Sequence, residues 1–152
     1  MNNLSIRPAK LEELSLVIAL TEEAYAVPYK KEARGSRPHE DEKTEVAFRD
    51  GELFILVAEQ EGEVCGAVRY RFDDEDIYLF KLAVPEKFRR QGIGQSLVET
   101  VVGEAREKGS KKITLDCMEE KGLPAYYEKL EFKIDEIKEH HDHHDVYMSK
   151  NI

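Results

Sequence analysis

Between Leu79 and Ala105 an apolar strand, a basic turn and two glycines lead directly into an amphipathic helix. The central run, Leu82-Ala-Val-Pro-Glu-Lys-Phe-Arg-Arg-Gln-Gly-Ile-Gly94, is followed by Leu97, Val98, Val101, Val102 and Ala105. That spacing keeps the apolar residues on one helical face. Gly92 and Gly94 permit positive φ and close approach of the backbone to another group. The first N–H groups of a helix have no partner within it, and they sit at the positive end of the helix dipole. Together with Arg89 and Arg90 they form an anion site suited to a phosphate or pyrophosphate. An ordinary strand–turn–helix connection would also use glycine and basic residues, so the loop has two readings on spacing.

Two phosphate-binding patterns fail against these residues. A Walker A loop needs Gly-x-x-x-x-Gly-Lys-Ser/Thr, and the chain contains no such run. A dinucleotide fingerprint needs glycines directly after the strand, but Pro85 to Gln91 intervene. It also needs a small third residue where Leu97 stands. Asp116, at the end of the next strand, fits the ribose-binding acid of that fingerprint in position only.

The loop resembles instead the Arg/Gln-x-x-Gly-x-Gly/Ala signature of the GNAT superfamily of acyl-CoA-dependent N-acetyltransferases, matched by Arg89, Gly92 and Gly94. Leu79 to Val84 is similar to the family's fourth strand, with its Leu-Ala-Val end. Leu123-Pro-Ala-Tyr-Tyr-Glu-Lys-Leu-Glu-Phe132 is similar to its second signature, and Asp145 to Lys150 to its last strand. The likeness runs from about Glu52 to the C-terminus. Two departures stand out. Glu120 occupies the place of a frequent Asn, and Glu131 that of the Gly in Leu-Gly-Phe.

The resemblance implies an α/β fold. It is a mixed, mostly antiparallel central sheet of about six or seven strands, splayed at the cofactor site and flanked by about four helices. It also implies acetyl-CoA as acyl donor and direct acetyl transfer to a primary amine, on a small molecule or a protein. Leu82, Ala83 and Val84 are expected to meet pantetheine and acetyl through their backbone. Arg89, Arg90, Gln91, Gly92, Ile93, Gly94 and Gln95 are expected to wrap the pyrophosphate, with Lys129 a further cofactor contact. Amine acetylation also requires a proton for the departing thiolate, and a phenol with pKa near 10 suits that task. The resemblance assigns this acid role to Tyr127; core packing is its alternative, and the favoured reading for Tyr126.

No base is singled out. Tyr78 holds the position of the family's fourth-strand Glu, while Glu75, Asp76 and Asp116 are nearby carboxylates that also suit solvated turns or strand ends. The amine must lose a proton, since a lysine-like amine has a pKa of about 10.4. Tyr25, Tyr29 and Tyr78 are candidate acceptor-site residues, as is the basic segment of Lys30, Lys31, Arg34 and Arg37. Two other functions fit the same fold: an acyl-CoA-binding sensor without turnover, and a partner-binding module.

His140-His-Asp-His-His-Asp145 has ligand chemistry. In a strand, His141, His143 and Asp145 would share a face. The run falls where a hairpin should turn, so a polar turn with no metal is expected.

The 152 residues are enough for one domain with a sizeable core, and 1–152 is read as a single domain. Strands are expected at Leu4–Arg7, Leu53–Glu59, Val64–Phe72, Asp76–Val84, Lys112–Met118, Phe132–Lys138 and Asp145–Lys150. Helices are expected from Leu11 to Tyr25, Glu40 to Arg49, after Gly92, and Leu123 to Leu130. Charged residues make up 36% and the formal net charge is −9. That balance argues against general nucleic-acid binding. No apolar run approaches the ~20 residues of a membrane span. Two separated cysteines, Cys65 and Cys117, read as buried free thiols and suit a cytoplasm. A homodimer is compatible with the family.

Overall fold

A computed structural model describes residues 3–26 and 38–152. Tyr29 and the basic residues Lys30, Lys31, Arg34 and Arg37 lie outside the described residues. The strands are β1 (Leu4–Pro8), β2 (Phe54–Gln60), β3 (Glu63–Asp73), β4 (Asp76–Ala83), β5 (Lys112–Met118), β6 (Lys133–Glu139) and β7 (His144–Asn151). The helices are α1 (Leu14–Ala26), α2 (Pro38–Arg49), α3 (Ile93–Glu107) and α4 (Leu123–Lys129), with 3-10 turns at Leu11–Glu13, Glu86–Phe88 and Glu119–Lys121. The sheet is seven-stranded in the order β1-β2-β3-β4-β5-β7-β6. β4 and β5 pair in parallel, and β1/β2, β2/β3, β5/β7 and β6/β7 pair antiparallel.

Helix α2 begins two residues before the expected Glu40. Pro38 supplies the reason, because its fixed φ suits the first helical position, where no N–H is needed. The β2–β3 hairpin turns at Glu61 (φ 53°) and Gly62 (φ 80°). Two successive positive-φ residues give a turn whose twist matches that of the flanking strands.

Two compact units make up the described chain. One holds Lys81–Thr100 with the described part of Met1–Arg71; the other holds Phe72–Phe80 and Val101–Ile152. In the first, Ile55, Leu56, Val57, Ala67 and Val68 of β2 and β3 are buried, as are Val17, Leu20 and Ala24 of α1. The start of α3 lies against β3 at Gly66. A Cβ there would meet Ile93 Cγ2 at 3.0 Å, Leu97 Cδ1 at 3.3 Å and Val84 Cγ2 at 3.3 Å. Glycine therefore sets how closely the helix start seats on the strand. In the second unit Ile77, Leu79, Ile113, Leu115, Val146 and Met148 form the buried strand faces. The apolar face expected of the helix after Gly92 is buried along its length: Leu97, Val98, Val101, Val102 and Ala105 are all at most 5% exposed. Cys65 and Cys117 are free and buried. Burial raises both thiol pKa values, that of Cys117 to about 12. Burial thus disfavours the thiolate, the reactive form, at both positions.

Candidate active site

In the first unit, Pro85 opens a 3-10 turn and the chain then reverses through two positive-φ residues, Arg90 (φ 66°) and Gly92 (φ 78°). Helix α3 starts at Ile93, with Ser96 N donating to Gly92 O at 3.0 Å. The N–H groups before Ser96 have no acceptor within the helix, by the geometry of an α-helix start. A Cβ on Gly92 would meet nothing within 4 Å, so the outer face of the turn is open. Arg90 is exposed beside it. An open turn, aligned N–H donors and an exposed guanidinium fit a pyrophosphate.

Arg89 behaves differently from the sequence expectation that it supplies charge at the phosphate. Its Nε donates to Val84 O at 2.7 Å and its Nη2 to Ala24 O at 2.8 Å. The guanidinium thus ties the turn to the end of β4 and to α1, holding the anion site's shape. Tyr25, a candidate acceptor-site residue, donates its hydroxyl to Leu82 O at 3.1 Å, and Lys81 Nζ sits 5.5 Å from its ring centre. Of the three strand-end residues, Ala83 is buried while Leu82 and Val84 are half-buried. Lys81 has a φ of 54°, a left-handed conformation inside a strand. The β4/β5 register covers only Asp76↔Lys112, Ile77↔Ile113 and Tyr78↔Thr114, although β4 continues to Ala83 and β5 to Met118. The expected splaying appears in that early end of the ladder.

In the second unit, Tyr78 donates its hydroxyl to Asp116 Oδ1 at 2.5 Å and stacks on Phe80 at 5.3 Å. A candidate acceptor-site residue and a candidate base therefore form one phenol–carboxylate pair. Tyr127 lies on α4, 7% exposed, edge-on to Tyr126 at 5.2 Å and to Phe132 at 5.8 Å. Its carbonyl accepts from Leu130 N and Phe132 N, both at 3.0 Å, closing the helix end. Burial pushes the Tyr126 phenol up. Lys129 is exposed. Glu120, the departure from the family's Asn, accepts from His144 N at 3.0 Å and pairs with His144 Nδ1 at 2.5 Å. Those bonds hold its carboxyl down at about 2 and raise His144 above the usual histidine value. Each group's charged form is the one that the bonds favour.

Residues 17–132 match the family model described as the acetyltransferase (GNAT) family. The chain belongs to that family. This acetyltransferase is also similar in fold to three solved structures. PaiA N-acetyltransferase from Thermoplasma acidophilum in complex with coenzyme A has a TM-score of 0.83 at 20% identity, covering 99% of both chains. The ribosomal-protein-S18-alanine N-acetyltransferase from Escherichia coli gives 0.79 at 20% identity, covering 98% of this chain and 94% of that one. The ribosomal-protein-alanine N-acetyltransferase from Brucella melitensis gives 0.76 at 23% identity, covering 97% and 99%. No curated protein sequence matches this one.

Membership makes the chain an acyltransferase, with acetyl-CoA as the family's donor. Sequence reasoning missed one residue of this acetyltransferase. Arg69, on β3, is 7% exposed and its Nε has no hydrogen-bond partner among the described residues. Burial lowers its pKa, while the nearby Tyr25 and Asp41 oppose that shift. The signal was a charged residue at a strand position whose neighbours Ala67 and Val68 are apolar. No helix among the described residues is long and apolar enough to cross a membrane.

Proposed function

We propose that the chain moves the acetyl group of acetyl-CoA directly to a primary amine, and that 1–152 acts as one catalytic domain. The observation that carries this reading is the open, donor-lined start of α3 behind Arg90 and Gly92. The family match across 17–132 spans segments of both compact units, which supports one working domain.

When bound, acetyl-CoA supplies an acyl group activated as a thioester. Backbone N–H groups from Arg90 to Gln95 hold the pyrophosphate and Arg90 adds charge there, while Arg89, whose own N–H is given to Glu86 O at 3.1 Å, braces the turn. Leu82, Ala83 and Val84 present backbone groups to the pantetheine and acetyl ends. Lys129, exposed on α4, keeps its sequence-based assignment as a further cofactor contact. Tyr127 is the general acid, its phenol giving a proton to the departing thiolate. Tyr78 and Asp116 are the route for the amine's proton: the Tyr78 oxygen takes it up as the phenol's own proton passes to the Asp116 carboxylate along their 2.5 Å bond. Tyr25 lies beside the strand end and borders the acceptor; Tyr29 keeps its sequence-based assignment there. An acidic chain with two buried free thiols suits a cytoplasmic enzyme acting on an amine rather than on nucleic acid, and a homodimer is compatible with the family.

Thiol release from acetyl-CoA over a panel of amines tests the reaction, with Tyr127→Phe as the informative variant. An acid role predicts a fall in kcat of about 10²–10⁴-fold with unchanged donor affinity. A lowered melting temperature with wild-type kcat would assign Tyr127 to the aromatic cluster of Tyr126 and Phe132 instead.

A further inference from the structure

Four of the chain's five histidines fall in the six residues from His140 to Asp145. The turn between β6 and β7 draws them into two groups. In one, His140 Nε2 lies 3.0 Å from Asp145 Oδ2, and His143 Nε2 lies 3.3 Å from Asp145 Oδ1. The two rings stack at 4.7 Å, 21° from parallel. The donor atoms of His140, His143 and Asp145 all fall within 4.8 Å of one another. His141 is not in this group, contrary to the strand-face spacing of the sequence. The reason is that β7 begins only at His144, and His140 N donating to His143 O at 2.8 Å folds the intervening residues into a turn.

We propose that His140, His143 and Asp145 form a binding site for a divalent transition metal of the zinc type. Metal–ligand bonds of about 2.0–2.2 Å in a tetrahedron put neighbouring donor atoms roughly 3.3 Å apart, close to the two nitrogen–oxygen distances in the cluster. Two imidazoles and one carboxylate suit zinc or its neighbours, whereas calcium and magnesium prefer oxygen ligands. His143 carries the outer-shell bond typical of a metal-binding histidine. Its Nδ1 meets Asp142 Oδ1 at 2.6 Å, which fixes the ring and leaves Nε2 to face Asp145. Three protein ligands leave a fourth position for water or another group. The neighbouring group of Glu119, Glu120 and His144 differs in having one imidazole, with Glu139 at its second nitrogen at 3.2 Å. That arrangement is an ion-pair hub. A metal at the first group would pin the end of β6 to the start of β7 across the turn.

The test is zinc titration of the full chain by calorimetry after dialysis against a chelator, with calcium as the comparison ion. One equivalent of zinc is expected, with calcium binding far weaker. His140→Asn and His143→Asn should each weaken zinc binding by at least tenfold, and Asp142→Ala by about 10–100-fold through loss of the outer-shell bond. His141→Asn and His144→Asn should leave it within twofold. Circular dichroism checks that each variant is folded. The proposal is overturned if His141→Asn costs as much as His143→Asn, since the run would then chelate without a defined site. It is equally overturned if His144→Asn alone abolishes binding, if Asp142→Ala changes nothing, or if no stoichiometric zinc binds.

Discussion

Replacing Arg69 by Met should raise the stability of this acetyltransferase. The residue is only 7% exposed, and Nε has no acceptor among the described residues. Burial lowers its pKa. Arginine nevertheless remains charged in a protein, so the charge is kept at a cost. An unsatisfied buried donor costs about 1–3 kcal/mol. Methionine keeps most of the apolar stem and its packing while removing the donor, and exchanging buried charge for apolar side chains of similar size is often stabilising. With an unfolding entropy of about 2.1 cal/mol/K per residue, each kcal/mol moves the melting temperature of a chain this long by roughly 3 °C. Arg69→Met should therefore melt about 3–9 °C higher, which scanning calorimetry at pH 7 would read directly. A melting temperature several degrees below wild type would refute the reasoning, because it would mean that the guanidinium makes bonds stronger than its burial costs. Arg69→Lys keeps a cation but not the planar fork, and should gain little or nothing.

Glu131 adopts φ 73° and sits 3.7 Å from Lys150 Nζ. That φ favours glycine, so Glu131→Gly should stabilise by about 1 kcal/mol despite losing the exposed ion pair, as thermal melting would read. At Gly92, φ is 78° with open space around the Cβ position. Gly92→Ala should therefore fold, with Gly92→Val the worse strained of the two; unchanged CoA affinity in a folded Gly92→Val protein, by calorimetry, would remove the loop from the donor site. The Glu120–His144 pair sets a pH window. Glu120 is depressed from 4.5 to about 2, and His144 is raised above 6.5. The carboxylate's contribution is thus full above its ordinary value and fades as pH falls toward its depressed one; the histidine's is full below its ordinary value and fades as pH rises through its raised one. The difference in melting temperature between wild type and Glu120→Gln should be largest between pH 4.5 and 6.5 and shrink on both sides, and a difference that grows steadily into alkaline pH would contradict the pairing.

Most elements were legible because their signals are local. The apolar spacing from Leu97 to Ala105, the Glu61-Gly62 turn and the alternating strands each reflect a constraint met within a few residues. What escaped depends on tertiary partners. Nothing beside Arg89 in the chain says that its guanidinium will span from Val84 O to Ala24 O, because Ala24 lies 65 residues away. The Tyr78–Asp116 bond joins residues 38 apart, on strands that pair through only three register positions. The grouping of His140 and His143 on Asp145 depends on where β7 begins, and a one-residue change there reverses which side chains share a face.

Glu131 shows how a departure from a family pattern acquires physical content. As letters, a glutamate in place of glycine after Leu130 is a mismatch. In the fold it follows helix α4, with its own N–H donating to Glu128 O at 2.9 Å and a φ of 73°. That is the left-handed position after a helix end, where glycine is preferred because it lacks a Cβ. The substitution thus leaves the turn's geometry in place and adds strain to it. Phe132 N still reaches Tyr127 O at 3.0 Å, so the turn that seats Tyr127 against Phe132 forms with either residue. Relieving the strain at Glu131 should therefore raise stability without moving the Tyr127 phenol.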